Sequence, residues 1–339
     1  MVDVRPCFII SPPRSGSTLL QRMLGAHPDV ATHPEPHLLS QLAHSGYYAQ
    51  VDAAPYDHIN AARALTAFVS QLPAGEADYY AGMRALCDTL FGSYATSRGC
   101  SVFLDKTPAN ARILPFIEKV YPDARYIVLT RHPLAIYSSY AQSFFDGDWA
   151  AAYRFNPVLE RYLGAICQWR TRTQAHVHVV AYEALAEAPE EHARALAAFL
   201  EIPFVPEMVN YGDVPMTHGA GDPHQVSRHR SAFTSSIERW KADVAACPER
   251  LQLAAEMLAR VGSETLMLWG HPYNDIIGEL EALATSEPTL GRAPLPPKNA
   301  YALQRKVLLA LRRDVHQKWH GRALKQVRYY CDVILRDAL

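Results

Sequence analysis

CFIISPPRSGSTLLQRMLG, Cys7 to Gly25, is the stretch from which the fold can be read. Phe8 to Ile10 is a short continuous apolar run, the pattern of a strand buried on both faces, and Ser11-Pro12-Pro13 stops it. Leu19, Leu20, Met23 and Leu24 then recur at helical spacing, and Gly25 with Pro28 ends the pattern, so residues 17–24 are predicted to form a helix. A loop between a buried strand and a helix aims backbone N–H groups and the positive end of the helix dipole at one spot, which suits a phosphate. The loop Pro13-Arg14-Ser15-Gly16-Ser17-Thr18 has Ser17 where an ATP-type loop carries lysine. The charge that grips β- and γ-phosphates is therefore missing, and ATP chemistry is disfavoured.

Working outward, Val102-Phe103-Leu104 and Tyr126-Ile127-Val128-Leu129 read as two more buried strands, with helical residues 109–120 and a Tyr121-Pro122 break between them. His178-Val179-Val180 reads as a fourth strand, followed by a helix from about Leu185 to Leu200 and the Ile202-Pro203 exit. Strands alternating with helices imply an α/β sheet. Residues 40–98 contain helical patches rich in tyrosine, to which no role is assigned. Residues 205–230, rich in Gly, Pro and His, read as a long loop that could serve as a substrate lid. There is no internal repeat.

Three segments follow from composition: a main domain over 1–286, a Pro-rich linker at 287–297, and a helical extension at 298–339. The extension has an apolar stripe at Leu308, Leu311, Val315 and Trp319, and its 10 Lys and Arg against 3 Asp give it a charge of +7. It reads as a helix docking on its own domain or on a second subunit in a homo-oligomer, with an acidic partner or a membrane surface as the other readings.

Over all 339 residues the formal net charge is −1, which offers no global attraction to nucleic acid or to an anionic membrane. Six cysteines lie far apart with no C-x-x-C pair, which reads as reduced core thiols and a cytoplasmic setting. The histidines form no H-E-x-x-H arrangement, and no metal is predicted. The first apolar run is too short for a signal peptide, and no run is long enough to span a bilayer.

PPRSGSTLLQRMLGAHPDV resembles the 5′-phosphosulfate loop of the sulfotransferases that use 3′-phosphoadenosine 5′-phosphosulfate (PAPS), especially the branch containing the tyrosylprotein sulfotransferases and related bacterial-type enzymes. Arg131 and Ser139, eight residues apart in TRHPLAIYSS, resemble that family's 3′-phosphate-binding pair, and Asp105-Lys106-Thr107-Pro108 resembles its lysine motif. The resemblance covers about residues 6–205 and implies an α/β fold with a P-loop-like central parallel sheet flanked by helices. Independently, Arg14, Lys106 and Arg131 each follow the carboxyl end of a predicted strand, the edge where open α/β sheets bind ligands.

The resemblance implies transfer of a sulfuryl group from PAPS to a hydroxyl acceptor, small or carrier-bound, leaving 3′-phosphoadenosine 5′-phosphate (PAP). Arg14 and Lys106 would stabilise the moving sulfuryl group, and the backbone N–H groups of Ser15, Gly16, Ser17, Thr18 and Leu19 would hold the 5′-phosphate. Tyr182 matches a position expected to pack near the adenine. The acceptor must lose a proton, and Glu35 in THPEPH stands where that branch has its catalytic glutamate. Pro34 replaces a second acidic residue of that branch, and His33 and His37 remain the competing bases. Ser231, Ser236, Trp240 and Lys241 fall where the family closes over the nucleotide, with altered spacing. The other readings are a nucleotide kinase or NTPase on the same architecture, and a docking module with a degenerate site.

Overall fold

A computed structural model of the chain describes residues 4–49, 58–213, 234, 236–285 and 327. Five strands form one sheet in the order β2-β3-β1-β4-β5, every neighbouring pair parallel. They are β1 (Arg5–Ile10), β2 (Val30–Pro34), β3 (Val102–Lys106), β4 (Arg125–Thr130) and β5 (His176–Ala181). Alternation along the strands feeds two cores. Phe8, Ile10, Phe103, Tyr126 and Val128 face one, with the tyrosine-rich helix Glu76–Thr96 and the helices Pro133–Phe145 and Val158–Arg170. Cys7, Ile9, Leu104, Ile127 and Leu129 face the other, with the loop helix Ser17–Gly25 and the helix Pro189–Leu200. Helices on both faces explain why the central strands are continuously apolar.

The predicted strands and the loop helix are present, with four differences. The edge strand β2 was not predicted: Val30-Ala-Thr-His-Pro has no long apolar run and ends in proline, a residue sheets admit at edges. The expected helix 109–120 is a 3-10 turn, Pro108–Arg112, followed by a helix, Leu114–Val120; between them Ile113 leaves helical geometry at φ −130°. The expected helix from Leu185 is likewise two, Tyr182–Glu187 and Pro189–Leu200. Proline drives the residue before it out of the α region, and Ala188 sits at φ −128°. The expected loop from 205 begins with two 3-10 turns whose Met208 and Tyr211 are buried, the Tyr211 ring lying under the Arg22 guanidinium at 4.6 Å.

Cys7, Cys87, Cys100 and Cys167 are buried thiols and Cys247 is half-buried, all free; Cys331 lies outside the described residues. The linker 287–297, the extension 298–339 apart from Val327, and most of the 205–230 segment also lie outside them. Among the described residues, no helix is long and apolar enough to cross a membrane.

Candidate active site

Each strand delivers one candidate residue at or just past its carboxyl end: Arg14 after β1, Glu35 after β2, Lys106 as the last residue of β3, Arg131 after β4 and Tyr182 after β5. A cavity of about 540 Å³ opens along this edge, and Arg14, Gly16, Ser17, Thr18, Leu19, Glu35, Arg131, Ser139 and Tyr182 line it. Two predicted residues do not. Lys106 is 1% exposed and reaches the site through Glu35, while the Ser15 hydroxyl is buried without a hydrogen-bond partner among the described residues, leaving that residue its backbone.

The loop conformation depends on Gly16, which caps the helix Ser17–Gly25 at φ 92° and supplies no side-chain cap. The first-turn N–H groups of that helix therefore carry the dipole's positive end toward the cavity. A Cβ at Gly16 would stand 2.3 Å from Tyr182 Cδ2, so glycine is required by backbone angle and by contact. Arg14 (φ 71°), Glu35 (φ 42°) and His37 (φ 55°) are also left-handed. Such strain in non-glycine residues concentrates where side chains are held for function.

Pro34 pairs with Lys106 across β2 and β3, which places the next residue, Glu35, over the lysine. Lys106 Nζ donates to Glu35 Oε1 at 2.7 Å. The other carboxylate oxygen faces His37 Nε2 at 3.8 Å. His33 and His37 stand four residues apart but diverge: the His33 ring meets the edge of Tyr94 at 5.8 Å, away from the cavity that His37 lines. Beneath them Asp105 is fully buried and accepts from Thr107 Oγ1 (2.7 Å) and Asn110 Nδ2 (3.1 Å), tying down the turn after Lys106. Burial pushes its carboxyl above the ordinary range.

Arg131 is 6% exposed and donates to the carbonyl oxygens of Arg14 (3.1 Å) and Ser236 (2.9 Å), with its guanidinium 4.2 Å from the centre of the Tyr182 ring. Burial lowers its affinity for protons, while Tyr182 and Glu183 oppose that effect. Arg14 Nε donates to Ser139 Oγ at 3.3 Å. Tyr182, 3% exposed, also hydrogen-bonds Ser236 Oγ at 2.6 Å. It therefore packs under Gly16 and Arg131 and offers the cavity little open ring face.

The far wall was only partly legible. Ser236 and Trp240, set aside for their spacing, line the cavity, and so do Ser138, beside Ser139 in TRHPLAIYSS, and Phe144, Tyr162, Arg239 and Asp243, which no motif marks. Asp243 accepts from Ser138 Oγ. Among the described residues no group of three or more His, Cys, Asp or Glu is arranged to hold a metal ion.

A family model described as "Sulfotransferase family" matches residues 6–206. The chain is 26% identical over 299 residues to the nodulation protein NoeE of Sinorhizobium fredii (strain NBRC 101917 / NGR234), covering 79% of this chain and 67% of that protein. It is 20% identical over 336 residues to protein-tyrosine sulfotransferase A of Caenorhabditis elegans, covering 94% of this chain and 76% of that one. Among solved structures, the sulfotransferase domain from the Synechococcus PCC 7002 olefin synthase aligns with a TM-score of 0.48 at 25% identity, over 85% of this chain and 98% of that chain.

Proposed function

This chain belongs to the sulfotransferase family, and from that premise we propose that it transfers a sulfuryl group from PAPS to a hydroxyl acceptor, with Glu35 as general base. The observation that carries the proposal is the Glu35–Lys106 pair at the edge of a cavity that Arg14, Arg131 and Ser139 also reach. A phosphosulfate and a 3′-phosphate require several donors, and this edge supplies three cations, a hydroxyl and an uncapped helix terminus.

The fit divides along the cavity. The loop N–H groups and Arg14 would hold the 5′-phosphosulfate, and Arg131 with Ser139 the 3′-phosphate. Arg131 is already oriented by two carbonyl oxygens, so little reorganisation accompanies binding. Glu35, His37 and Tyr162 also line the cavity, and the acceptor would lie beside Glu35. In the transfer the acceptor oxygen forms a bond to sulfur as the bond from sulfur to the phosphate oxygen breaks. Glu35 takes the acceptor's proton, PAP departs, and Arg14 and Lys106 balance the charge moving onto the leaving oxygen.

The acceptor class is left open by this reading: a protein tyrosine, named for the Caenorhabditis relative, is one hydroxyl among several that would serve. The free thiols fit a reducing, cytoplasmic setting. Calorimetry with PAP tests the donor side. The wild-type chain should bind it and Arg131→Ala should lose at least about a hundredfold in affinity, as expected when a buried charged hydrogen-bond donor is removed. Unchanged affinity refutes the assignment. A pooled acceptor panel incubated with PAPS, read by mass for the gain of one SO₃, tests the reaction.

A further inference from the structure

Part of the cavity lining, Ser236, Arg239, Trp240 and Asp243, comes from beyond the matched span 6–206. Its largest member is Trp240, on the helix Arg239–Ala245, 3% exposed and lining the cavity. One face of its indole is covered by the imidazole of His132, ring centres 4.3 Å apart and planes 12° from parallel. His132 directly follows Arg131, and its backbone N–H donates to Glu183 Oε1 at 2.9 Å, next to Tyr182. The plate that backs Trp240 is therefore fixed to the same two strand ends that carry the 3′-phosphate arginine and its ring partner.

Support comes from behind as well. His271 meets the His132 ring edge-on at 5.2 Å, and Trp269 Nε1 donates to the carbonyl oxygen of Arg131 at 2.9 Å. Neither ring nitrogen of His132 has a hydrogen-bond partner among the described residues. A buried polar group without partners is destabilising, so this imidazole sits there against a penalty. What it does at that position is present a flat face.

Arg131, Glu183, Lys241, His271 and Glu279 are the charged and titratable groups around it, with Glu279 Oε1 3.9 Å from Nε2. Burial, with His271, Lys241 and Arg131 adding to it, pushes the imidazole down to about 3. The ring is neutral near pH 7, and a neutral flat ring is a plate that phenylalanine can imitate.

We propose that His132 is a positioning residue of the donor pocket: its ring fixes Trp240, and with it the helix Arg239–Ala245, as part of the wall of the cavity. This rests on the reading that the cavity takes PAPS. It extends the donor site to the segment 236–285, where Trp240, Trp269 and His271 bear on Arg131 and its neighbour.

The test uses PAP titrated by calorimetry into the full chain and into His132→Phe and His132→Leu, each with a thermal melt. His132→Phe keeps the plate and should bind PAP within about twofold of wild type. His132→Leu keeps the volume but loses the planar stack and should bind about tenfold more weakly, as expected for a lost ring pair and a displaced wall. Equal affinity for the leucine variant, or an equal loss in both variants, overturns the proposal. Should the leucine variant fail to melt cooperatively, Trp240→Phe gives the same reading: about fivefold weaker binding supports the proposal and unchanged binding overturns it. A wild-type chain that does not bind PAP overturns the donor reading and this inference together. Wild-type binding of PAP that the leucine variant matches overturns this inference alone.

Discussion

Lys106 Nζ donates to Glu35 Oε1 at 2.7 Å, with the lysine 1% and the glutamate 21% exposed. The contact is fixed by the pairing of Pro34 with Lys106 at the edge of the sheet. It joins the proposed base and a proposed sulfuryl-stabilising cation in one unit, so a change at either residue acts on both. Removing the lysine would leave a partly buried carboxylate without its counter-charge, whereas changing the glutamate to its amide keeps an acceptor for the lysine N–H while removing the proton acceptor and the lysine's counter-charge.

Glu35→Gln is therefore expected to reduce transfer by about 10²- to 10⁴-fold, the usual weight of a general base, while PAP binds within about threefold of wild type. Initial rates of PAP release with PAPS and pooled hydroxyl acceptors, beside PAP calorimetry, check this. Unchanged transfer would move the base to His37, whose Nε2 lies 3.8 Å from the same carboxylate.

Arg131→Lys keeps the charge and loses the fork. A single ammonium cannot hold both carbonyl oxygens, of Arg14 and Ser236, and lie over the Tyr182 ring. The expected result is at least about tenfold weaker PAP binding, read by calorimetry, with cooperative unfolding retained.

Gly16→Ala places a Cβ 2.3 Å from the Tyr182 ring at φ 92°. Left-handed backbone alone costs alanine about 1–2 kcal/mol, and the collision adds to it. Urea unfolding should show a loss of at least about 2 kcal/mol. Combining it with Tyr182→Ala should cost less than the two changes added, because the second removes the collision and leaves the backbone strain.

Stability should fall with acid through His132. Its folded value of about 3 lies below the unfolded value near 6.5, so the unfolded chain takes up the proton first. The histidine's contribution is complete above about pH 6.5 and is lost as pH falls toward about 3. Melting temperatures of wild type and His132→Phe should diverge over that window, the phenylalanine variant showing the shallower slope.

Asp105 works in the opposite sense, since its carboxyl is raised by burial. A group raised on folding favours the fold below its unfolded value and loses that contribution as pH rises through the folded one. Asp105→Asn removes the titration. Its amide can still accept from Thr107, and a turned Asn110 amide can offer its unpartnered Oδ1. The melting temperature of the variant relative to wild type should rise as pH climbs above the ordinary aspartate range.

The loop at residues 13–18, the central strands and the loop helix were legible because local chemistry dictates them. Apolar runs such as Phe8 to Ile10 have no stable place except between two helix layers, and Gly16 announces a backbone angle other residues resist. Arg14, Lys106 and Arg131 could be placed on one edge from strand order alone, since parallel strands put all their carboxyl ends together. Breaks at Ile113 and Ala188 were less visible, because helical periodicity runs on through an interruption of one residue.

The edge strand β2 carries little apolar signal, yet its register decides that Glu35 meets Lys106 instead of solvent. The same holds for the far wall, where Ser236, Trp240 and Asp243 come from more than 100 residues beyond Arg131 and have no periodic or spacing signature. Residue types and strand ends are local properties that the chain states by itself. Which side chain lies 2.7 Å from which, and that a buried histidine serves as a plate behind a tryptophan, depend on contacts between distant segments, and only packing in three dimensions selects those.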